Sequence, residues 1–356
     1  MTAATGPTGP PAGPVASPGH RARARCTLED VAARAGVSRA TASRVVNGDT
    51  KVAGPTRRAV AAAIDELGYA PNRAARSLAA HRSDSVALVV CEPTGRLFAD
   101  PWFGRTIRGI AGVLGATRYQ LVLLMVESDA EGDRVERHLL RGDTDGVLVV
   151  SLRHDDPLPA HLLAASIPCV LAGRPHPGLG AGYVDADNVG GARRATGHLL
   201  DRGRRVVGTV AGPADMAPGA DRLAGWRLAL ADHGATPAAS LVAHGDFSRA
   251  SGQRAAEALL DRHADLDGVF VASDLMALGV LDALRQAGRR VPADVAVVGF
   301  DDSELARSSD PPLTTVRQPS EEMGARMAEM LLDQLDRGLG PDRLVLRTEL
   351  VVRASS

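Results

Sequence analysis

Residues 27–48 read Thr27-Leu28-Glu29-Asp30-Val31-Ala32-Ala33-Arg34-Ala35-Gly36-Val37-Ser38-Arg39-Ala40-Thr41-Ala42-Ser43-Arg44-Val45-Val46-Asn47-Gly48. The spacing is that of two short helices joined by a tight turn, a helix-turn-helix. Thr27 suits an N-cap, and Glu29 and Asp30 fall in the first turn, where the helix dipole favours acids. Leu28, Val31, Ala32 and Ala35 recur at i, i+3, i+4 and i+7 and make one apolar face. Gly36 ends the first helix, Ser38 can cap the second, and Gly48 closes it. The second helix carries Arg39, Thr41, Ser43, Arg44 and Asn47 on its polar side. Arginine can fork onto guanine O6 and N7, and Ser, Thr and Asn can bind phosphates or bases, so this is a candidate major-groove reader. A helical hairpin with a solvated basic face has the same pattern.

Outward from this stretch, a third helix follows Pro55-Thr56, with Val60, Ile64 and Leu67 on one face, and stops at Gly68. Residues 1–25 are rich in Gly, Pro, Ala and Thr and then in Arg; they lack a signal-peptide core and read as a disordered tail. Met1 to Arg82 holds eleven arginines and one lysine against five acids, a net +7, which leaves −8 for the remainder of a chain whose total is −1. A basic front on an acidic body points to a nucleic-acid surface at the front, although an ordinary basic tail would give the same balance. Cys26, Cys91 and Cys169 stand far apart, which argues against a disulfide framework or a structural zinc site and fits a reducing cytoplasm. No apolar run approaches a membrane span. A soluble, cytoplasmic protein is expected.

From Ser85 the pattern changes. The runs 86–90, 121–126, 147–150, 169–171, 206–210, 269–271 and 295–298 are short and β-branched, and they alternate with helical segments. Continuous apolar runs of this length suit strands buried on both faces of a parallel sheet. At 356 residues there are too many for one compact half, so the α/β body divides near Val184–Asn188.

Thr27 to Ala32, Ala35 to Ser38, Thr41 to Gly48, then Leu67-Gly68-Tyr69-Ala70-Pro71-Asn72 with Ala75 and Leu78-Ala79, strongly resemble the headpiece of the lactose-repressor/galactose-repressor (LacI/GalR) family. The resemblance runs from Thr27 to Arg353. It implies a small all-α helix-turn-helix headpiece plus a periplasmic-binding-protein-like α/β body of two subdomains. The boundaries expected are a tail at 1–25, a headpiece at 26–71, a hinge helix and linker at 72–83, and an effector-binding and dimerisation domain at 84–356. Within it the N-subdomain takes about 84–187 and 319–346, and the C-subdomain about 188–318 and 347–356. The resemblance implies a homodimer on a pseudo-palindromic operator in double-stranded DNA. Thr27, Ser38, Arg39, Ala40, Thr41, Ser43, Arg44, Asn47, Tyr69, Asn72, Ala75 and Leu78 are the expected DNA-contact set. Arg39, Ala40 and Arg44 are its sequence readers, and Leu78 is a wedge for the minor groove. Residues 72–80 make fewer than three turns, a helix marginal alone in water that folds when partners are supplied. No heptad helix follows Arg353, so a four-chain assembly of that kind is not expected.

In the body the resemblance is carried by Asp100-Pro101-Trp102-Phe103, by Arg222 with Gly225-Trp226, and by Ala272 to Ala277. It continues in Val298 to Asp302 and Pro312 to Gln318. Ligands of open α/β sheets bind beyond the C-terminal ends of strands. Ser273 and Asp301 sit just past two such runs. The expected effector residues are Trp102, Phe103, Arg222, Ser273, Asp301 and Gln318, with Phe270 read as core and either aromatic of 102–103 able to be core instead. Asp301 could accept sugar hydroxyls, Arg222 could donate several bonds, and an aromatic ring could stack on a pyranose or a base. A small-molecule effector is implied, a carbohydrate first and a nucleoside or purine second. Ser273, Gly173 and Pro218 depart from sugar-binding relatives, so no particular effector carries over. A regulator needing no small molecule stays open, and a transport solute-binding protein is disfavoured by the headpiece. No cofactor or metal is expected. Gly178-Leu179-Gly180-Ala181-Gly182 lies among prolines and fails the context of a dinucleotide loop, and no HExxH, Cys/His cluster or GxSxG elbow occurs. His198 reads as structural, and catalysis is not expected.

Overall fold

The computed structural model describes residues 26–46, 48–49, 51–69 and 83–356. Asn47, Asn72, Ala75, Leu78, the tail at 1–25 and the hinge-helix stretch 72–80 lie outside the described residues.

The N-terminal unit holds α1 (Leu28–Ala35), α2 (Arg39–Val46) and α3 (Gly54–Leu67). A capping box starts α1: the Thr27 amide donates to Asp30 Oδ2 at 2.8 Å, and the Asp30 amide donates to Thr27 Oγ1 at 3.3 Å. Two donors that the first helical turn cannot satisfy are thereby satisfied reciprocally. Gly36 ends α1 at φ +66°, a left-handed conformation that glycine adopts without Cβ strain. Val31, Val60 and Ala63 form the small core, with Cys26, Ala35, Val37, Val45, Ile64 and Tyr69 packed on it.

The second unit is the body, with two six-stranded sheets. The first runs β11-β5-β4-β3-β1-β2 and is parallel throughout. Its strands are β1 (Ser85–Val90), β2 (Gln120–Met125), β3 (Gly146–Val150), β4 (Cys169–Ala172), β5 (Gly182–Ala186) and β11 (Arg343–Leu346). The second runs β12-β10-β9-β8-β6-β7, with only β12 antiparallel. Its strands are β6 (Val207–Ala211), β7 (Val242–His244), β8 (Gly268–Val271), β9 (Ala296–Asp301), β10 (Thr314–Arg317) and β12 (Glu349–Val351).

Alternation along β1 explains its unbroken apolar run. Val86, Leu88 and Val90 enter one core, and Ala87 and Val89 enter the core on the other face. β8 and β9 do the same in the second sheet: Val269 and Val297 go one way, Phe270 and Val298 the other. Helices cover both faces, as parallel sheets require. The chain passes between the sheets after β5, after β10 and between β11 and β12. The first sheet with its helices is the N-subdomain and the second the C-subdomain.

One helix contact fixes the N-subdomain side of the cleft. Helix α5 (Pro101–Leu114) lies against α13 (Ser320–Arg337) with Gly109 and Gly324 at the crossing. A Cβ on Gly109 would stand 1.9 Å from the Glu321 carbonyl oxygen, and one on Gly324 would stand 2.0 Å from that of Thr106. The two backbones touch, and only glycine permits it.

Candidate functional site

Each unit carries a candidate site. In the N-terminal unit, Ser38 Oγ accepts the Thr41 amide at 3.1 Å and so caps α2, and its hydroxyl lies 2.9 Å from Thr41 Oγ1. Thr27 is likewise committed to its capping box. Arg39, Ala40 and Arg44 are the exposed residues of α2, while Thr41 and Ser43 are half-buried. Arg39 Nε is 2.5 Å from Glu29 on α1, with both side chains largely exposed. Tyr69 packs on the small core.

In the body, a cavity of about 800 Å³, counting its part open to solvent, lies between the C-terminal ends of the two sets of strands. From the N-subdomain it is lined by Arg96, Asp100 and Trp102 beyond β1, by 151–154 beyond β3, by 173–176 beyond β4, and by Asp185 on β5. From the C-subdomain come Met216, Ala217, Pro218 and Arg222 beyond β6, Phe247 beyond β7, Ser273 beyond β8, Asp301 ending β9 and Gln318 beyond β10. Residues far apart in sequence converge because parallel strands present their C-terminal ends on one side.

Arg222 organises the floor. It projects from α9 (Ala217–Asp232) and is buried. Its Nε donates to Asn188 Oδ1 at 2.9 Å and its NH1 to the Ala272 carbonyl at 2.6 Å. NH1 is also 3.8 Å from Asp301 Oδ1, and the guanidinium lies 3.8 Å over the centre of the Phe300 ring. Asn188 passes the contact on, donating to Asp185 Oδ1 at 2.9 Å. Gln318 Nε2 donates to Asp301 Oδ1. Burial drives the carboxyl of Asp301 well above the usual range, partly offset by Arg222. Burial also raises Asp100 and Asp185, and takes Asp274, behind the floor, to about 7. One buried cation among several carboxyls leaves groups able to donate as well as accept. That suits a ligand rich in hydroxyls, with the Trp102 and Phe247 rings as apolar walls.

The rim is charged and spans the cleft. Arg174 of the N-subdomain grips Asp221 of the C-subdomain through two bonds, 2.7 and 2.9 Å. Arg153 pairs with Asp215, whose carbonyl accepts the His154 amide at 2.8 Å. Arg96, paired with the buried Glu92, stacks 4.8 Å from the centre of the Phe247 ring. The subdomains are thus engaged around the cavity.

Of the six residues expected from sequence, Trp102, Arg222, Ser273, Asp301 and Gln318 line the cavity. Phe103 does not: it is 1% exposed in the N-subdomain core, edge-on to Trp102 at 5.1 Å. Asp185, Asn188, Arg96 and Phe247 were missed. The one available signal was the position of Asp185 and Asn188 at the division point of the body. Phe270 is core, and His198 Nε2 lies 2.8 Å from Ser356 Oγ. Gly178–Gly182 follows β4 and runs into β5, not into a helix. No group of His, Cys, Asp or Glu suited to a metal occurs among the described residues.

Comparison with known proteins agrees with both halves. Residues 27–72 match the model for bacterial regulatory proteins of the lacI family, and residues 196–356 match a periplasmic binding protein-like domain. The HTH-type transcriptional regulator CelR of Thermobifida fusca is 49% identical over 94% of this chain and 99% of its own. The ribose operon repressor of Escherichia coli K12 is 33% identical over 93% of this chain and 99% of its own. Among solved structures, a CelR–cellobiose complex matches with TM-score 0.76 at 48% identity, over 93% of this chain and all of that one. A lac repressor dimer bound to operator and the anti-inducer ONPF matches with TM-score 0.81 at 29% identity, over 93% of this chain and 99% of that one. With headpiece, two-sheet body and near-full-length relatives in agreement, the chain belongs to the lacI family of bacterial regulatory proteins.

Proposed function

We propose that this protein is a repressor that binds a pseudo-palindromic DNA operator as a homodimer and is controlled by a glucose disaccharide of the cellobiose type. The observation that carries the sugar reading is the buried set Arg222, Asp301, Asn188, Asp185 and Gln318 facing a cavity with Trp102 and Phe247 in its walls. Such a set meets hydroxyls on both donor and acceptor sides. The relative whose structure is a cellobiose complex is 48% identical. The boundaries go with this reading: headpiece 26–71, hinge 72–83, and a body 84–356 divided as 84–187 with 319–346 and 188–318 with 347–356. So do the DNA contacts, with Arg39, Ala40 and Arg44 reading bases and Leu78 wedging the minor groove. The protein performs no catalysis and works in the cytoplasm, where its operator is.

Calorimetric titration of the full chain with cellobiose, and with adenosine and ribose as competitors, tests it. Saturable cellobiose binding that changes affinity for an operator duplex is the expected result. Binding of adenosine alone refutes the sugar reading.

A further inference from the structure

We propose that Arg105 is the residue that reports occupation of the cavity at Asp301 to the N-subdomain. This rests on the reading of the cavity as the effector site. Arg105 does not line the cavity. It projects from α5 and crosses the cleft, its NH2 donating to the Asp302 carbonyl at 2.9 Å and its NH1 to the Asp301 carbonyl at 3.5 Å. One planar fork therefore grips two successive carbonyls, a geometry that senses their relative orientation.

Those carbonyls belong to an unusual corner. Asp301 has φ +124° and Asp302 has φ +51°, conformations that side-chain-bearing residues rarely adopt. The corner is held from the C-subdomain side. The buried Asp302 carboxylate is paired with Arg353, with Arg317 at 2.7 Å and with Arg307 at 3.4 Å. Its neighbour Asp301 turns its carboxyl to the cavity, where Gln318, just before a chain crossing, donates to it. The same residue is thus touched on its side chain by anything in the cavity and on its main chain by Arg105.

A ligand hydroxyl that takes over a bond at the Asp301 carboxyl redirects that side chain. With the Asp302 carboxylate clamped, the peptide between them is held on both sides, its N–H donating to Thr315 Oγ1 at 3.4 Å and its carbonyl accepting from Arg105, so a turn of Asp301 is felt at that guanidinium. The receiving element is well placed. Asp100 caps α5, its carboxylate accepting the Trp102 amide at 3.0 Å, and both residues line the cavity. The glycine crossing with α13 leaves α5 no slack against the helix behind it. Arg105 is a positioning residue: it touches no ligand and acts through the corner.

The test uses full-length protein, cellobiose, and a duplex selected from a random pool by the wild type. In Arg105→Ala, cellobiose affinity is expected within roughly threefold of wild type, while the change in duplex affinity on adding cellobiose falls by roughly tenfold or more. Arg105→Lys, which can reach one carbonyl, restores part of the response. A wild-type response in Arg105→Ala overturns the proposal, as does a loss of cellobiose binding that accounts for the whole loss of response. A second readout needs no ligand. Spin labels at Arg134→Cys and Ala258→Cys, in a chain with Cys26, Cys91 and Cys169 replaced by alanine, report the distance between subdomains. Arg105→Ala is expected to broaden or shift that distribution, and an unchanged distribution overturns the proposal. If wild type fails to bind cellobiose, the sugar reading falls while the distance measurement still decides the role of Arg105.

Discussion

Replacing Arg222 by methionine removes the one cation from the cavity floor while keeping most of the side chain's volume. The variant leaves the Asn188 Oδ1 and Ala272 carbonyl acceptors, now bonded at 2.9 and 2.6 Å, without their donors. Each orphaned buried acceptor costs about 1–3 kcal/mol. Breaking a buried ion pair from one side costs about 3–5 kcal/mol in total, because the remaining charge loses its compensation. Here that cost depends on pH. Burial already holds the Asp301 carboxyl well above its ordinary range, and Arg222 is the main influence pulling it back. Without Arg222, Asp301 in the folded chain rises further above its unfolded value. A carboxyl raised on folding adds stability below its unfolded pKa, and that contribution disappears as pH rises through the folded value. The gap between wild type and Arg222→Met therefore widens as pH increases. Thermal unfolding of the full chain over a pH series checks this, with the body's transition lowered by roughly 10 °C where the loss is fully developed at the alkaline end and by distinctly less at the acid end. A loss that shrinks as pH rises refutes the electrostatic account and leaves Arg222 as a packing residue.

Two further perturbations bear on the architecture around the cavity. Gly109→Ala pushes a methyl into the Glu321 carbonyl at the α5–α13 crossing and is expected to cost about 1–3 kcal/mol or more; denaturant unfolding measures it, and a neutral result shows that the helices can part. Asp221→Asn removes the charge from a rim pair whose arginine is half exposed. The pair is worth at most about 1 kcal/mol, so calorimetry should show roughly a two- to fivefold loss of cellobiose affinity and a weaker dependence of that affinity on salt.

Most strands legible in the sequence are buried on both faces, such as β1, β3 and β9, because burial on two sides writes an unbroken apolar run; the edge strand β2 was legible from its apolar run although half-exposed, and the buried β10 was not, because it reads Thr314-Thr315-Val316-Arg317. The short or polar ones were not: β7 has three residues, β11 alternates at an exposed edge, and β5 contains Gly182 and Asp185. The headpiece could be read through its caps, since Thr27, Gly36 and Ser38 each perform a local task that a short window reveals. The cavity was legible where a residue sits at the end of a strand or just beyond it, as Asp301 and Ser273 do. Trp102 and Phe103 show the limit. They are neighbours on one helix turn, and nothing local says which faces the cavity and which the core. Asn188 shows another, since its role depends on Arg222, thirty-four residues away.

The strands that finish the two sheets come last in the chain. β11 pairs with β5 across about 160 residues, Arg343 beside Tyr183, and β12 completes the other sheet beside β10. Ser355 is fully buried, its hydroxyl donating to the Val297 carbonyl at 2.6 Å and accepting the Thr314 amide at 2.8 Å. A ribosome making this protein therefore releases the N-terminal helical unit long before the body can close, since domains fold as they emerge. Each nascent chain carries a folded DNA-facing unit ahead of a sensing body that is still open. Neither subdomain can be cut away genetically as one continuous piece, and a nonsense codon just before Arg343 would spare the headpiece while removing a strand from both sheets.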